Sequence, residues 1–237
     1  MNEIIQVFND QYNESMRNPA KTLDGHISNE NGITNDYRGR AIFEFFQNSI
    51  DRAESKVWIN LNKEKGIFTI ANDGESFSII KGDRKYSDFE SLCSINTSSK
   101  NQNESIGNKG VGFKSCWEYT QKVTVCSIHE NMKWGFNLHN PLRPDELKKF
   151  KYISVDIDEW LCKEEYNSVI ERHKRLPSFY FPEIIDENEA LVFFKIYSNA
   201  TTIITFHDLS KESINELEKK SKISLINIYF SYSNLIN

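Results

Sequence analysis

Between about Tyr37 and Ser55 the apolar residues Ala41, Ile42, Phe45, Phe46, Ile50 and Ala53 recur with the period of an α-helix, and no proline or glycine interrupts them after Gly39. Such a stripe has to be buried, and the chain supplies a partner at once. Two β-type runs, Val57 to Leu61 and Ile67 to Ala71, flank the charged turn Asn62 to Gly66 and read as a hairpin. Lys122 to Ile128 and Lys133 to Leu138 read as a second hairpin, and Leu191 to Tyr197 and Thr201 to Phe206 as further β-type runs. Helical spacing predicts helices over 4–16, 86–93, 111–119, most of 144–175 and from Ser210 onward, with a polar loop carrying Gly25, Gly32 and Gly39 between the helix at 4–16 and the one that begins near Tyr37. Helices mixed with antiparallel hairpins predict an α+β fold, a two-layer sandwich whose mixed, mostly antiparallel sheet carries helices on one face. No repeat or linker divides the 237 residues, so the expectation is a single domain.

Composition excludes several classes of function. With 29 basic and 34 acidic side chains the net charge is −5, which argues against a whole-surface match to nucleic acid, and Lys148, Lys149 and Lys151 read as a solvated helix face. No window approaches the ~18 uncharged apolar residues of a spanning helix, and MNEIIQVFNDQ has no signal-peptide pattern. A cytoplasmic protein is expected. Cys93, Cys116, Cys126 and Cys162 match neither a metal-binding spacing nor a disulfide framework and read as buried thiols; the sequons at Asn13, Asn96, Asn103 and Asn199 are expected to carry no sugar. His26, His129, His139, His173 and His207 show no metal-ligand spacing. The chain stops inside the apolar stretch INIYFSYSNLIN without a C-cap glycine, which reads as the front portion of a longer protein.

Four features can carry chemistry. Glu44, Asn48 and Asp51, spaced four and three apart, share one face of the predicted helix, opposite Phe45, Phe46 and Ile50. Alone this is a solvated stripe. The cluster Gly107-Asn-Lys-Gly110-Val-Gly112-Phe-Lys114-Ser115 lies where a polar loop meets a helix, a place where close backbone approach and exposed N–H groups suit phosphate. It is no P-loop, because Phe113 stands where lysine is required, and no dinucleotide fingerprint, because its glycines do not give GxGxxG after a strand. Asn72-Asp73-Gly74 closes a β-run, and Thr201-Thr202-Ile203-Ile204 opens another.

Taken in order, ExxxNxxD on a helix, a hairpin ending in NDG, a polar loop, GxxGxGF at a helix start and a late TTII strand resemble the Bergerat-fold ATPases, the GHKL group of gyrase, the large heat-shock chaperones, histidine kinases and MutL. Through EFFQNSIDRA, NDGESF, TSSK and GNKGVGFKS the chain is similar to sacsin-type N-terminal ATPase domains, over about residues 35–206. The resemblance implies ATP and Mg²⁺ as cofactors. It implies that Asn48 is the oxygen ligand of Mg²⁺, that Glu44 orients and deprotonates the attacking water, and that Asp51 belongs to the same helical motif. Gly107, Gly110 and Gly112, with Val111 and Phe113 between and beside them, match the loop that cradles the phosphates, and Lys109 or Lys114 can add positive charge. Residues 76–105 match the lid, with Ser98, Ser99 and Lys100 as contacts, and Thr201 matches the threonine that helps hold adenine. Aligned on Gly74, the adenine-reading aspartate is Asn72, with Ser76 in place of the second glycine; a slip of one residue makes Asp73 the reader instead. The implied function is hydrolysis of Mg-ATP coupled to lid closure and a nucleotide-dependent homodimer cycle, in a chaperone-like or defence-related multidomain protein. The alternative is a non-hydrolysing nucleotide-sensing or partner-binding module with a degenerate site. A histidine-kinase domain fits less well, since no phosphoacceptor helix is present in the sequence.

Overall fold

A computed structural model of the chain describes residues 1–15, 19–36, 39–93, 111–154 and 156–222. Six strands, β1 (Val57–Asn62), β2 (Ile67–Asn72), β3 (Lys122–His129), β4 (Met132–His139), β5 (Glu183–Ile185) and β6 (Thr202–His207), form one sheet in the order β1-β2-β6-β3-β4-β5 with every ladder antiparallel. The helices are α1 (Asn2–Ser15), α2 (Pro19–Asp36), α3 (Ala41–Arg52), α4 (Asp88–Cys93), α5 (Val111–Lys114), α6 (Pro144–Leu147), α7 (Ile157–Leu161), α8 (Glu164–His173) and α9 (Glu187–Ile196), with a further helical stretch over 211–222. The fold is α+β, as the mixture of helices and hairpins predicts.

Strand alternation sorts the side chains into two faces. On one lie Phe68 and Ile70 of β2, Ile204 and Phe206 of β6, Val123 and Val125 of β3, and Trp134, Phe136 and Leu138 of β4, all part of the main core. α3 is laid on this face by its aromatic stripe: the Phe45 ring sits 4.9 Å from Phe206 and the Phe46 ring 6.4 Å from Phe68. α1 docks farther along, with Phe8 4.5 Å from Phe89 and 6.0 Å from Phe136. Between β3 and β4 the chain reverses through Glu130 and Asn131, both left-handed at φ 48° and 67°, the two-residue geometry whose twist matches flanking strands.

The opposite face is not bare. Ala71, Cys126, Ile203 and Ile185 are covered there by Ala190 and Phe194 of α9, so helices lie on both sides of the sheet rather than on one. The segment expected as a strand over 191–197 is this helix, and its cause is local: the Asp186 carboxylate accepts from the Glu189 N–H at 2.9 Å, while Glu189 returns a carboxylate to the Asp186 N–H, a capping box that starts a helix. The polar loop expected around Gly25 and Gly32 is also helical. Leu23, Ile27 and Ile33 are buried at helical spacing along α2, and their packing outweighs the cost of two internal glycines; Gly39 alone remains in a turn, at φ +82°. β5 was not anticipated, and three residues give too little pattern to see it.

Candidate functional site

α3 runs along β2 so that its carboxy end meets the end of the strand at Asn72. The Arg52 carbonyl accepts from the Glu75 N–H at 2.7 Å, and a Cβ at Gly74 would stand 2.0 Å from that same carbonyl, so only glycine lets the turn after β2 approach the helix. On this helix Glu44 and Asn48 are half-buried, while Asp51 is exposed.

At the Asn72 end of the sheet one row crosses the core-facing side of four strands. Asn72 pairs in register with Thr202, Thr202 with Ser127, and Ser127 with Trp134. The row is buried, Asn72 being 2% and Ser127 0% exposed. Buried polar side chains need partners, and Ser127 Oγ donates to the Thr201 carbonyl at 3.2 Å. Asn72 Nδ2 donates to the Glu75 carbonyl at 3.3 Å, Thr202 Oγ1 accepts from the Phe77 N–H at 2.9 Å, and Trp134 Nε1 has no hydrogen-bond partner among the described residues. With Nδ2 given to Glu75, the Asn72 amide keeps Oδ1 as its remaining acceptor.

Asn72 and Asp73 of the NDG motif are turned to different surroundings. The Asp73 carboxylate is turned to the α3–β1 connection, where it accepts from the Glu54, Ser55 and Lys56 N–H groups at 3.1, 3.0 and 2.9 Å and from the Ser55 hydroxyl at 2.5 Å. The Ser55 hydroxyl first, then the backbone N–H groups, hold its pKa well below the usual carboxylate range. Asn72 is the member of the motif on the core-facing row. Thr201 lies just before β6 and its hydroxyl donates to the Asn72 carbonyl at 3.2 Å; the next residue, Thr202, shares the Asn72 face. Thr202 and Ser127 are thus additions to the candidate set, and the alternation of Thr202, Ile204 and Phe206 is the sequence signal that points to the former.

The glycine cluster is described only at its end. Ser98, Ser99, Lys100, Gly107, Lys109 and Gly110 lie outside the described residues; Val111 and Gly112 open α5, and Phe113 sets its ring 5.0 Å from Phe45, which places α5 beside the amino-terminal half of α3. Lys114 is turned inward. It is 4% exposed, its ammonium lies 5.9 Å over the Phe179 ring, and burial pushes its pKa down against the pull of Cys93 and Glu30. Within the segment expected as a lid, Ile79, Phe89, Leu92 and Cys93 are buried, because α4 packs its apolar side under α1, 81–85 are exposed, and 94–105 lie outside the described residues.

Other expectations resolve simply. Cys93, Cys116 and Cys126 are buried and Cys162 is exposed, all as free thiols. Lys148 pairs with Asp158, and Lys151 lies 3.8 Å from Asp186 and 3.6 Å from Glu189, so that stripe offers little unbalanced positive charge. No helix among the described residues is long and apolar enough to cross a membrane. The donor types along α3 fit Mg²⁺ with a polyphosphate: an amide oxygen on Asn48 and a half-buried carboxylate one turn away on Glu44. Compared with known proteins, the chain matches no family model, and no curated protein sequence matches it at a significant level.

Proposed function

We propose that this chain is a Bergerat-type ATPase domain that binds Mg-ATP between α3 and the Asn72 end of the sheet and hydrolyses it. One observation carries the reading. α3, which carries Glu44 and Asn48, packs on the strand that ends in Asn72, whose in-register neighbours Thr202 and Ser127 form a buried polar row, and the end of the glycine cluster packs against the same helix. Three sequence features more than twenty residues apart thus converge on one helix.

In this reading Asn72 Oδ1 accepts from the exocyclic amino group of adenine, and Thr202 borders the base. Asn48 supplies the amide oxygen that holds Mg²⁺, which when bound offsets the triphosphate charge. The Glu44 carboxylate receives the proton of the attacking water as its oxygen forms the new bond to the γ-phosphorus and the bond to the β–γ bridging oxygen breaks. Release of phosphate and ADP would reset the domain, with a conformational and homodimerisation cycle in a longer protein as the use of the energy. Titration of ATP in Mg²⁺ into the purified chain and its Asn48→Ala variant tests binding. The reading expects ATP binding in Mg²⁺ whose Mg²⁺-dependent gain the substitution removes, and it fails if folded wild type binds no ATP. Glu44→Ala should retain binding and lose turnover by about 10²- to 10⁴-fold; equal turnover removes Glu44 from the mechanism.

One feature favours a second reading, a nucleotide-sensing module without turnover. An amide rather than a carboxylate stands at the base-reading position, and one of its two N–H donors is already committed to Glu75. Binding without any Glu44-dependent phosphate release would select it.

A further inference from the structure

Glu44 and Asn48 leave a third side chain of the α3 stripe unused. Arg52 follows Asn48 by four residues and stands on the same side of the helix. Its guanidinium forks onto Asp88, Nη1 donating to Oδ2 at 2.8 Å and Nη2 to Oδ1 at 2.5 Å, with the two side chains 15% and 4% exposed. Asp88 Oδ2 also accepts from the Ser78 N–H at 2.8 Å and the Ser78 hydroxyl at 3.0 Å, and the Asp88 N–H returns to that hydroxyl at 2.9 Å. Arg84 pairs with Glu75 and lies 3.7 Å from Asp88, tying the turn to the same carboxylate.

Both ends of Arg52 hold the same segment. Its side chain grips 78–88 through Asp88, and its carbonyl holds Glu75, whose own carbonyl holds the Asn72 amide. A chain of contacts therefore leads from the residue one turn beyond Asn48 to Asn72 itself. A buried ion pair is weak evidence of a stabilising role, since apolar replacements of similar volume are often neutral or better, whereas its forked geometry fixes direction and distance.

We infer that Arg52 and Asp88 are positioning residues of the nucleotide site, setting the spacing between the α3 stripe and the turn after β2 so that Asn48 and Asn72 face one ligand. The inference rests on the nucleotide reading above and extends it to residues that touch no ligand. Misplacement of a reacting group by about 1 Å is enough to cost on the order of a hundredfold in rate.

The test uses the whole chain with two variants, Arg52→Met/Asp88→Leu, which replaces the pair by apolar side chains, and Arg52→Lys, which keeps the charge and loses the fork. Each is measured for thermal midpoint and for ATP affinity by calorimetry, in Mg²⁺ and in EDTA. The expected result is an ATP affinity in Mg²⁺ weakened by about tenfold or more, with the Mg²⁺-dependent gain lost as in Asn48→Ala, at temperatures where the variant is fully folded. Adding Asn48→Ala to Arg52→Lys should then weaken Mg-ATP binding little further, because the pair acts through that residue. A purely structural pair would lower the midpoint and leave both affinities of the folded protein unchanged, and that result overturns the inference. If the double variant does not fold, Arg52→Lys decides by the same criteria. Absence of ATP binding to wild type instead removes the nucleotide reading itself, a separate and distinguishable failure.

Discussion

Asp73 and Asn72 are neighbours with opposite tasks, and the difference is one of side-chain direction. Strand alternation turns Asn72 toward the core-facing row, while Asp73, just past the strand, gathers three N–H groups and a hydroxyl from the 54–56 connection. Asp73→Ala should therefore lower the thermal midpoint by freeing that connection and leave ATP affinity intact, whereas Asn72→Ala should weaken ATP and leave the midpoint nearly unchanged. Calorimetry and thermal melts on both variants check this; the reverse pattern would make Asp73 the base reader. From sequence the two could not be told apart, because a slip of one residue is invisible until a strand partner fixes parity. The same slip separates Thr201 from Thr202. Glu44, Asn48 and Asp51 were legible as a stripe, since helical spacing needs no partner, but the pairing of Arg52 with Asp88 was not: it joins residues 36 apart across a turn without a repeating pattern. Gly74 was legible as a motif member, and its close approach to Arg52 became visible only once α3 and β2 were set side by side.

Among the elements, the sheet is specified by more than apolar alternation. On the face away from α3, Thr69, Thr205, Thr124, Asn137 and Glu183 stand in register across five strands. Thr69 and Thr205 hydroxyls meet at 3.2 Å, Thr124 Oγ1 donates to Asn137 Oδ1 at 2.7 Å, and Asn137 Nδ2 donates to the Glu183 carboxylate at 2.9 Å. Because the Thr124 proton goes to Asn137, His207 Nε2, 2.8 Å away, must be the donor to Thr124. A shift of any strand by one residue would strand these groups in the core, so the row fixes register as well as composition. Thr124→Val, equal in shape, leaves the Asn137 oxygen and the His207 N–H unpaired and should cost about 2 kcal/mol in urea unfolding with an unchanged m-value; a cost near zero would mean that water replaces the hydroxyl. The hairpins were readable from sequence because each carries its own turn and alternation. α9 and α2 were not: Leu191 to Ile196 is a short apolar run that suits a strand or a buried helix equally, and in α2 tertiary packing overrides two glycines.

For the molecule as a whole, stability is tied to pH through two histidines kept neutral inside it. His26, its ring tilted against Tyr180 at 4.0 Å, and His207 are both pushed down to about 4, by burial first and then by Lys114 and Lys122 respectively. Their unfolded value is near 6.5, so between 6.5 and about 4 the unfolded chain binds protons that the folded chain refuses. Stability is therefore complete above 6.5 and declines as pH falls through that window. Further down, Asp73 and Glu183, both held below their usual values, take over: Glu183 is raised by burial but lowered more by hydrogen bonds from His139 and Asn137. Glu30 works against the trend, since burial raises its pKa despite its 2.7 Å contact with Arg175, so its protonation favours the fold on acidification. That opposing group makes a single melting curve ambiguous and a comparison decisive. The variant His26→Phe/His207→Gln keeps Glu30 and the carboxylates, so the difference between its pH profile and that of wild type isolates the histidines. The expected outcome is a wild-type thermal midpoint that is level from pH 8 to about 6.5 and falls toward pH 4, against a variant whose midpoint stays level until the carboxylate limb begins. Parallel profiles for the two proteins would show that these imidazoles are hydrated and titrate as they do in the unfolded chain.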